Sequence, residues 1–477
     1  MANNIYDDIK KRIDLVEVIR EDFPLKGHGS EYRGDRDGIH GLVVTRSSKG
    51  GEWYYYWNKH NRGGSVIDYL IKERGMDMKS AVEWAAKRAG LTLPEWTHAE
   101  TKSWLRVRAA EDLFDVATKV FERWMGNTAT AMDVCRGRGW TDDTIKNARL
   151  GYSGNATAAE YKEMREYIAM NNIDVQSPAA VAILGFKGDV AKLKDKWEVD
   201  YELHDAISND DVNAGYISGF MSKPRLIYPH LYFGKVTYLS SRNLKWEGDR
   251  LINEPDKHHK SYNPRRGLIG ERKPYFPWNY NVNSNHIVIV EGQADVITGA
   301  QWGFNIMGKV GTKLSDYWGG ELGKRHETRY DWHDMDEAGE NSWRIGKVKV
   351  GKEEKKIEYP IADLLGPLTH IVGAPATREG QIKDMNDLRQ YYVGKGISDQ
   401  SQYERVRIRL NNAPVVSVIA LKEAAEKQKR KDVSLEEKLG TMTRAFEIIA
   451  KMGKKKANHM LNDFVSASGL TVSAINK

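Results

Sequence analysis

A single cysteine, Cys135, occurs among 477 residues, so no internal disulfide can form and a four-cysteine zinc site is excluded. Long apolar runs are missing too: no stretch approaches the roughly 20 residues that a bilayer span needs. The opening MANNIYDDIKKRIDLVEVI is charged and lacks the apolar centre of a signal peptide. The expectation is a soluble cytoplasmic protein with no membrane partner. Internal repeats and long low-complexity tracts are absent, and no G-x-x-x-x-G-K-[ST] run is present, which excludes a fused P-loop motor. Charge of one sign is in short supply, since 73 Lys and Arg stand against 66 Asp and Glu, a net of +7. That balance suits a protein that holds a polyanion and also carries an acidic site, although any mildly basic enzyme would share it. What is plentiful is aromatic surface, with 14 Trp and 23 Tyr, either core filler or platforms for unpaired bases.

A chain of this length should form three or four units. Residues 3–22 read as one amphipathic helix, with Ile5, Ile9, Ile13, Leu15, Val16 and Ile19 near helical spacing. A Gly-rich, strand-like stretch covers about 25–64, and Ser65 then opens a helix. LTLPEWTHAET has the Pro and polar content of a boundary. Beyond it a mixed α/β region begins, in which Thr141 followed by Asp142 and Asp143 starts a helix. HIVIV at 286–290 reads as a buried strand, and the strand–helix alternation after it argues for a mainly parallel sheet. RHETRYDW reads as a half-buried strand, and VKVGKEEKKIEY as a hairpin around Gly351 and Lys352. After about residue 396 the chain turns helical and charged.

Three acidic motifs carry the chemistry. VEGQAD places Glu291 at the end of the HIVIV strand and Asp295 four residues on; DWHDMDEAG spaces Asp334 and Asp336 by one; IKDMNDL supplies Asp384, Asn386 and Asp387. Any one of them alone is an ordinary acidic turn. Together, each beside a strand, they can bring hard oxygen ligands to one crevice at the carboxyl ends of a parallel sheet, as magnesium requires. Asp334 and Asp336, with one residue between them, can point to the same side and share an ion.

HIVIVEGQADVITGAQWGFNIMGKVGTKLS with DWHDMDEAG and KDMND resembles the Toprim domain of primases, topoisomerases and some nucleases. The resemblance implies metal-binding and catalytic roles for Glu291, Asp334 and Asp336, with Asp384 as a further metal ligand and Mg2+ or Mn2+ as the ion. Asp295 falls on the last position of the family's E-G-x-x-D pattern. Asn386 stands where family primases often carry a second acid. RGWTDDTIKNARLGY, PRLIYPHLYFGKVTYLSSRNL and HKSYNP are similar to the polymerase core of bacterial-type, DnaG-like DNA primases. This implies template or triphosphate contacts for Arg225, Arg242, Lys245, Lys260 and Asn263.

The first ~95 residues resemble the zinc-ribbon domain of those primases in their flanks and depart from it in the ligands. Asp37, His40 and His60 stand in the region of the family's zinc ligands, and Trp57 cannot replace a thiolate. A zinc-free ribbon is expected, stabilised by the EWYYYW run, most of whose rings should be core.

The reading is a multidomain α/β chain: a degenerate zinc-ribbon-like domain (1–98), the N-terminal part of a primase core (103–284), a Toprim domain with a Rossmann-like parallel sheet (285–395) and a helical C-terminal module (396–477). The expected activity is that of a DNA primase, a DNA-directed RNA polymerase that uses single-stranded DNA and NTPs. The C-terminal module is a candidate contact for a replicative helicase or for DNA. Loss of the zinc ligands fits a phage or mobile-element replication system. The alternatives are a Toprim nuclease and a DNA-binding accessory factor with a decayed site; a topoisomerase lacks a recognisable tyrosine domain here.

Overall fold

The computed structural model describes residues 8–34, 41–46, 52–58, 62–76, 78–91, 98–171, 173–201, 207–232, 235–256, 260–270, 272–310, 314–350, 353–377, 380–452 and 454–468. The chain divides into two compact units, Met1–Trp278 and Asn279–Lys477. Among the described residues no helix is long and apolar enough to cross a membrane.

The first unit opens with a correction. Instead of one helix over 3–22, residues 8–12 are helical, the helix breaks at Ile13 and Asp14, and α1 (Leu15–Arg20) begins anew. Residues 3–7 lie outside the described residues. The cause is Asp14, whose carboxylate accepts the Val16 N–H at 2.9 Å as an N-cap. Ile13 and Leu15 stay buried on both sides of the break, so the apolar spacing survives it.

Five short strands then form an antiparallel sheet in sequential order: β1 (Lys26–His28), β2 (Glu31–Arg33), β3 (Leu42–Arg46), β4 (Trp53–Trp57) and β5 (Arg62–Gly64). Trp53, Tyr55 and Trp57 alternate on one face of β4 and are buried with α1, α2 (Val66–Lys72) and α3 (Met78–Ala89) in a core running from Ile9 to Ala86. Phe23 meets Trp57 edge-on at 5.3 Å. The aromatic run is therefore mostly core, which supplies apolar area without a metal. Ser65 starts α2 as expected, its N–H held by the Asp68 carboxylate at 2.9 Å.

The segment read as a boundary already contains helix: α4 (His98–Gly126) begins inside LTLPEWTHAET, of which residues 92–97 lie outside the described residues. The second sheet comprises β6 (Gly151–Tyr152), β7 (Arg225–Tyr232), β8 (Lys235–Glu247) and β9 (Arg250–Asn253), in the order β9-β8-β7-β6. A short β10 (Ser261–Tyr262) pairs with β8. α4 packs on this sheet, with Phe114 edge-on to Tyr238 at 6.3 Å.

The second unit holds a four-stranded parallel sheet: β11 (His286–Val290), β12 (Ile306–Gly308), β13 (Thr328–Trp332) and β16 (Thr369–Val372), ordered β12-β11-β13-β16. Between them lie α5 (Gln293–Gln301), α6 (Asp316–Arg325), α7 (Glu337–Arg344) and α8 (Pro360–Leu364). A hairpin of β14 (Ile345–Val350) and β15 (Glu353–Glu358) separates α7 from α8, as the alternation implied. Gly351 and Lys352, on which the sequence centred the hairpin, lie outside the described residues. α9 (Met385–Gly394) follows the sheet, then α10 (Asp399–Asn412), α11 (Val416–Lys429), α12 (Leu435–Ala450) and α13 (Lys454–Ser468). The architecture is mixed α/β with a parallel sheet.

β13 departs from expectation: Arg329, Tyr330, Asp331 and Trp332 are all buried, so both faces are covered. Its charged residues find partners inside the fold, which no periodicity reports. Arg329 donates to the carbonyls of His326 (2.6 Å) and Gly323 (3.2 Å), and Asp331 pairs with Lys309, which follows β12, at 3.0 Å.

Candidate metal centre

Parallel pairing puts the carboxyl ends of β11 and β13 side by side, with Ile289 opposite Asp331. The apolar run of β11 stops at Val290, and Glu291 is the first residue beyond it; Asp334 follows β13 by two residues. The Asp334 N–H donates to Glu291 Oε1 at 3.4 Å, tying the two strand ends together. Two helix starts complete the site. Asp295 lies in the first turn of α5, 5% exposed, and one of its oxygens accepts the Asn386 N–H at 3.0 Å. Asp384 is the N-cap of α9, accepting the Asp387 N–H at 2.8 Å.

One carboxylate oxygen from each of Asp295, Asp334 and Asp384 lies within 4.8 Å of the others. The electrostatics match this crowding. Burial first, then Asp384 and Asp334, raise the Asp295 carboxyl well above the usual range. Burial, Glu291 and Asp384 push Asp334 up to about 7. Burial also raises Glu291, against the pull of Lys309. Like charges gathered this closely call for a cation, and an all-carboxylate oxygen set is the donor chemistry of Mg2+ or Mn2+.

Two glycines permit the geometry. A Cβ on Gly292 would sit 3.0 Å from Asp295 Oδ2, and one on Gly339 would fall against the Asp334 carbonyl oxygen. The glycines of the EGxxD and DxDxxG patterns are thus places where the backbone must come close to a site acid.

The remaining acids have other partners. Glu291 is outside the trio and meets it through the Asp334 backbone. Asp336 caps α7, and its bond from the Gly339 N–H (2.9 Å) leads the influences that hold its carboxyl below the usual range. Asp334 and Asp336 do converge, on a lysine: Lys383 Nζ lies 3.7 Å from the first and 3.0 Å from the second. Asn386 is buried; its side-chain amide donates to Thr298 Oγ1 at 2.9 Å and fastens α9 to α5.

Three features escaped the sequence reading. Asp295 was placed on a family pattern without a ligand role, although its position four residues after a strand-end Glu put it within reach. Lys383 had the signal of adjacency to Asp384. The Lys309–Asp331 pair, 3% and 0% exposed, gave no local signal.

The basic set belongs to the first unit. Arg225 on β7 is 1% exposed, lies over the Tyr262 ring at 4.0 Å, and is pushed down to about 10 by burial. Its Nε and Nη1 have no hydrogen-bond partner among the described residues. Arg242 on β8 is half-buried and pairs in register with Ser261, which brings it to the same strand edge as Lys260 and Asn263. Lys245 and Lys260 are exposed, Asn263 is half-buried, and the Lys260 carbonyl accepts the Asn243 N–H at 2.9 Å. Asp37, His40 and His60 lie outside the described residues.

No protein-family model matches the chain. It is similar to the DNA primase of Pseudomonas aeruginosa, 20% identical over 412 residues, covering 82% of this chain and 56% of that protein. The DNA primase of Chlamydia trachomatis is 26% identical over 361 residues, covering 72% and 52% respectively. The chain thus spans about half the length of the curated relatives it matches. Among solved structures, the zinc-binding and RNA polymerase domains of the Aquifex aeolicus primase superpose with a TM-score of 0.50 at 17% identity, covering 98% of this chain and 97% of that one. A DnaG primase catalytic domain bound to single-stranded DNA gives 0.51 at 15% identity, covering 76% and 99%. The fold of this chain is accordingly like that of bacterial DNA primase cores.

Proposed function

We propose that the chain is a DNA primase, synthesising short RNA on single-stranded DNA by nucleotidyl transfer at the carboxylate site of its second unit. The observation that carries this reading is the convergence of Asp295, Asp334 and Asp384 beside the C-terminal edge of a parallel sheet, in a chain similar to DNA primases over most of its length. In the proposed reaction a ribonucleotide 3′-hydroxyl attacks the α-phosphorus of an incoming NTP, the P–O bond to the β-phosphate breaks, and pyrophosphate leaves.

Asp295, Asp334 and Asp384 would hold Mg2+ or Mn2+, with Glu291 and Asp336 completing the acidic surround. A divalent ion bound there supplies Lewis-acid stabilisation of the attacking and leaving oxygens. The chain's own contribution is positioning. Asn386 orients Asp295 through its backbone N–H, and Asp387 orients Asp384 in the same way. Glu291 fixes the Asp334 backbone, and Lys383 keeps the D-x-D pair together while balancing its charge. Arg242, Lys245, Lys260 and Asn263 are proposed to contact template or triphosphate, for which arginine and lysine supply fixed positive charge. Arg225, stacked beneath Tyr262, is proposed to support that strand pair. The four-part division of the chain read from sequence belongs to the same proposal.

The test is primer synthesis by the purified chain on single-stranded DNA with labelled NTPs and Mg2+, with Asp334→Ala/Asp336→Ala as the control. Template-dependent short RNA, absent from the control, supports the reading. Equal product from the control overturns the site assignment; no product on varied templates, with metal-dependent nicking instead, makes the chain a nuclease.

A further inference from the structure

Two carboxylates spaced as Asp334 and Asp336 are can share an ion, but in the fold their meeting point is already filled by a cation of the chain itself. Lys383 Nζ lies 3.0 Å from Asp336 Oδ2 and 3.7 Å from Asp334 Oδ2. The other oxygen of Asp336 accepts the Gly339 N–H at 2.9 Å, the bond that caps α7. Both oxygens of Asp336 are therefore engaged, one by a helix start and one by an ammonium. Asp334 differs, because it also contributes an oxygen to the cluster with Asp295 and Asp384.

The backbone delivers the lysine to this point. The N–H of Met335, the middle residue of D-x-D, donates to the Lys383 carbonyl at 2.8 Å, so the lysine and the two acids sit on segments tied to each other. On one side of Lys383 the chain is anchored by buried Ile382. On the other, Asp384 caps α9 and supplies an oxygen to the trio. The ammonium thus stands between the D-x-D pair because of where its own segment is fastened. A compact ammonium with three donors suits a position between two carboxylates.

We infer that Lys383 takes the place of a second metal ion: the centre holds one divalent cation, on Asp295, Asp334 and Asp384, and Asp336 positions the lysine instead of ligating metal. The inference rests on the reading of that trio as a metal centre. A dication shared by Asp334 and Asp336 would have to stand where the ammonium stands, and positive charges so close repel each other. The D-x-D pair is thereby divided. Its first acid belongs to the ion, and its second belongs to the lysine and to the start of α7. Occupancy of the centre then follows a single-site curve in the metal concentration.

Counting ions on the full chain tests this without recourse to activity. Mn2+ is titrated to about 1 mM in the absence of nucleotide, and the paramagnetic resonance signal of the free ion gives stoichiometry and dissociation constants. Lys383→Met removes the ammonium. The side chain is 46% exposed and the bond to Met335 uses the Lys383 carbonyl, so the substitution leaves the fold in place. Lys383→Arg keeps a positive charge at the position. The expected result is one Mn2+ per chain in wild type and Lys383→Arg, and two in Lys383→Met. The second ion of Lys383→Met should bind at least about tenfold more tightly than any second ion of wild type. A second ion in wild type within about threefold of the first, or a single ion in Lys383→Met, overturns the inference and leaves the trio standing as a metal centre. No ion in wild type overturns the inference together with the metal-centre reading on which it rests.

Discussion

Replacing Lys309 by methionine isolates a buried charge. The Lys309 ammonium and the Asp331 carboxylate lie 3.0 Å apart with side chains 3% and 0% exposed, and Asp331 Oδ2 has no hydrogen-bond partner among the described residues. Removing the lysine leaves a carboxylate in the interior without its cation, which costs about 3–5 kcal/mol when one partner of a buried pair is deleted. Removing both charges is a different perturbation. Lys309→Met/Asp331→Leu exchanges the pair for apolar volume and should be near neutral or more stable, because two ions no longer need to be desolvated. The expected coupling in the cycle is therefore at least about 3 kcal/mol. For a folding unit of roughly 150–250 residues each kcal/mol moves Tm by about 2–4 °C, so the single variant should melt about 6–20 °C lower. Calorimetry and urea unfolding monitored on the second unit's transition give both numbers. A single variant within about 1 kcal/mol of wild type, or a double variant as unstable as the single one, would refute the view that this pair is a desolvated, mutually dependent unit.

The metal centre should trade stability for chemistry. Asp334 is pushed up to about 7 by burial, Glu291 and Asp384, so the native state keeps its proton longer than the unfolded chain does. Wild type should lose stability relative to Asp334→Asn as pH rises from about 4 to about 7 in EDTA, then level off. The full shift corresponds to ~4 kcal/mol, reduced to about 1–3 kcal/mol by partial exposure. A flat pH series for the difference would contradict it. Mg2+ at about 100 times its dissociation constant should stabilise wild type by ~2.7 kcal/mol in thermal melts and do little for Asp384→Ala; equal stabilisation of the variant removes Asp384 from the ligand set. Gly339→Ala should displace the Asp334 backbone and lower Mg2+ affinity about tenfold or more by titration calorimetry, whereas unchanged affinity would show that the loop yields freely. Asp14→Ala should cost about 1 kcal/mol in urea unfolding of the first unit, and no change would mean that the cap is not what breaks the helix there.

Where a structural cause is local, the sequence discloses it. Ser65 and Thr141 start helices because their side chains or neighbours take up the first N–H groups, and these residues sit where capping chemistry predicts them. HIVIV is a buried central strand because neither of its faces can meet water. The helix expected over 3–22 shows the limit of periodicity: Ile13 and Leu15 are both buried, so the apolar rhythm is the same with or without the break, and Asp14 was the residue to weigh. β13 shows a second limit. Its polarity argued for an exposed face, and the partners that bury it are a lysine 22 residues away and backbone carbonyls before the strand. Such pairing is a property of the fold and has no period.

The site follows the same division. Strand-end Glu291 could be located because it ends an apolar run, and the D-x-D acids because of their spacing just after a strand-like segment. Which oxygens converge depends instead on where helices begin. Asp295, Asp336 and Asp384 all stand in the first turn or at the N-cap of a helix that follows a strand or loop. That position favours a carboxylate twice over, through free backbone N–H groups and through the positive end of the helix dipole. It also divides the work. Asp336 has one oxygen on Gly339 and the other on Lys383. Asp295 and Asp384 each have one oxygen engaged by a backbone N–H across or within α9, and each contributes an oxygen to the cluster with Asp334. The spacing of acids along the chain therefore identifies the candidates, while helix starts and the Lys383 contact decide which of them face one another.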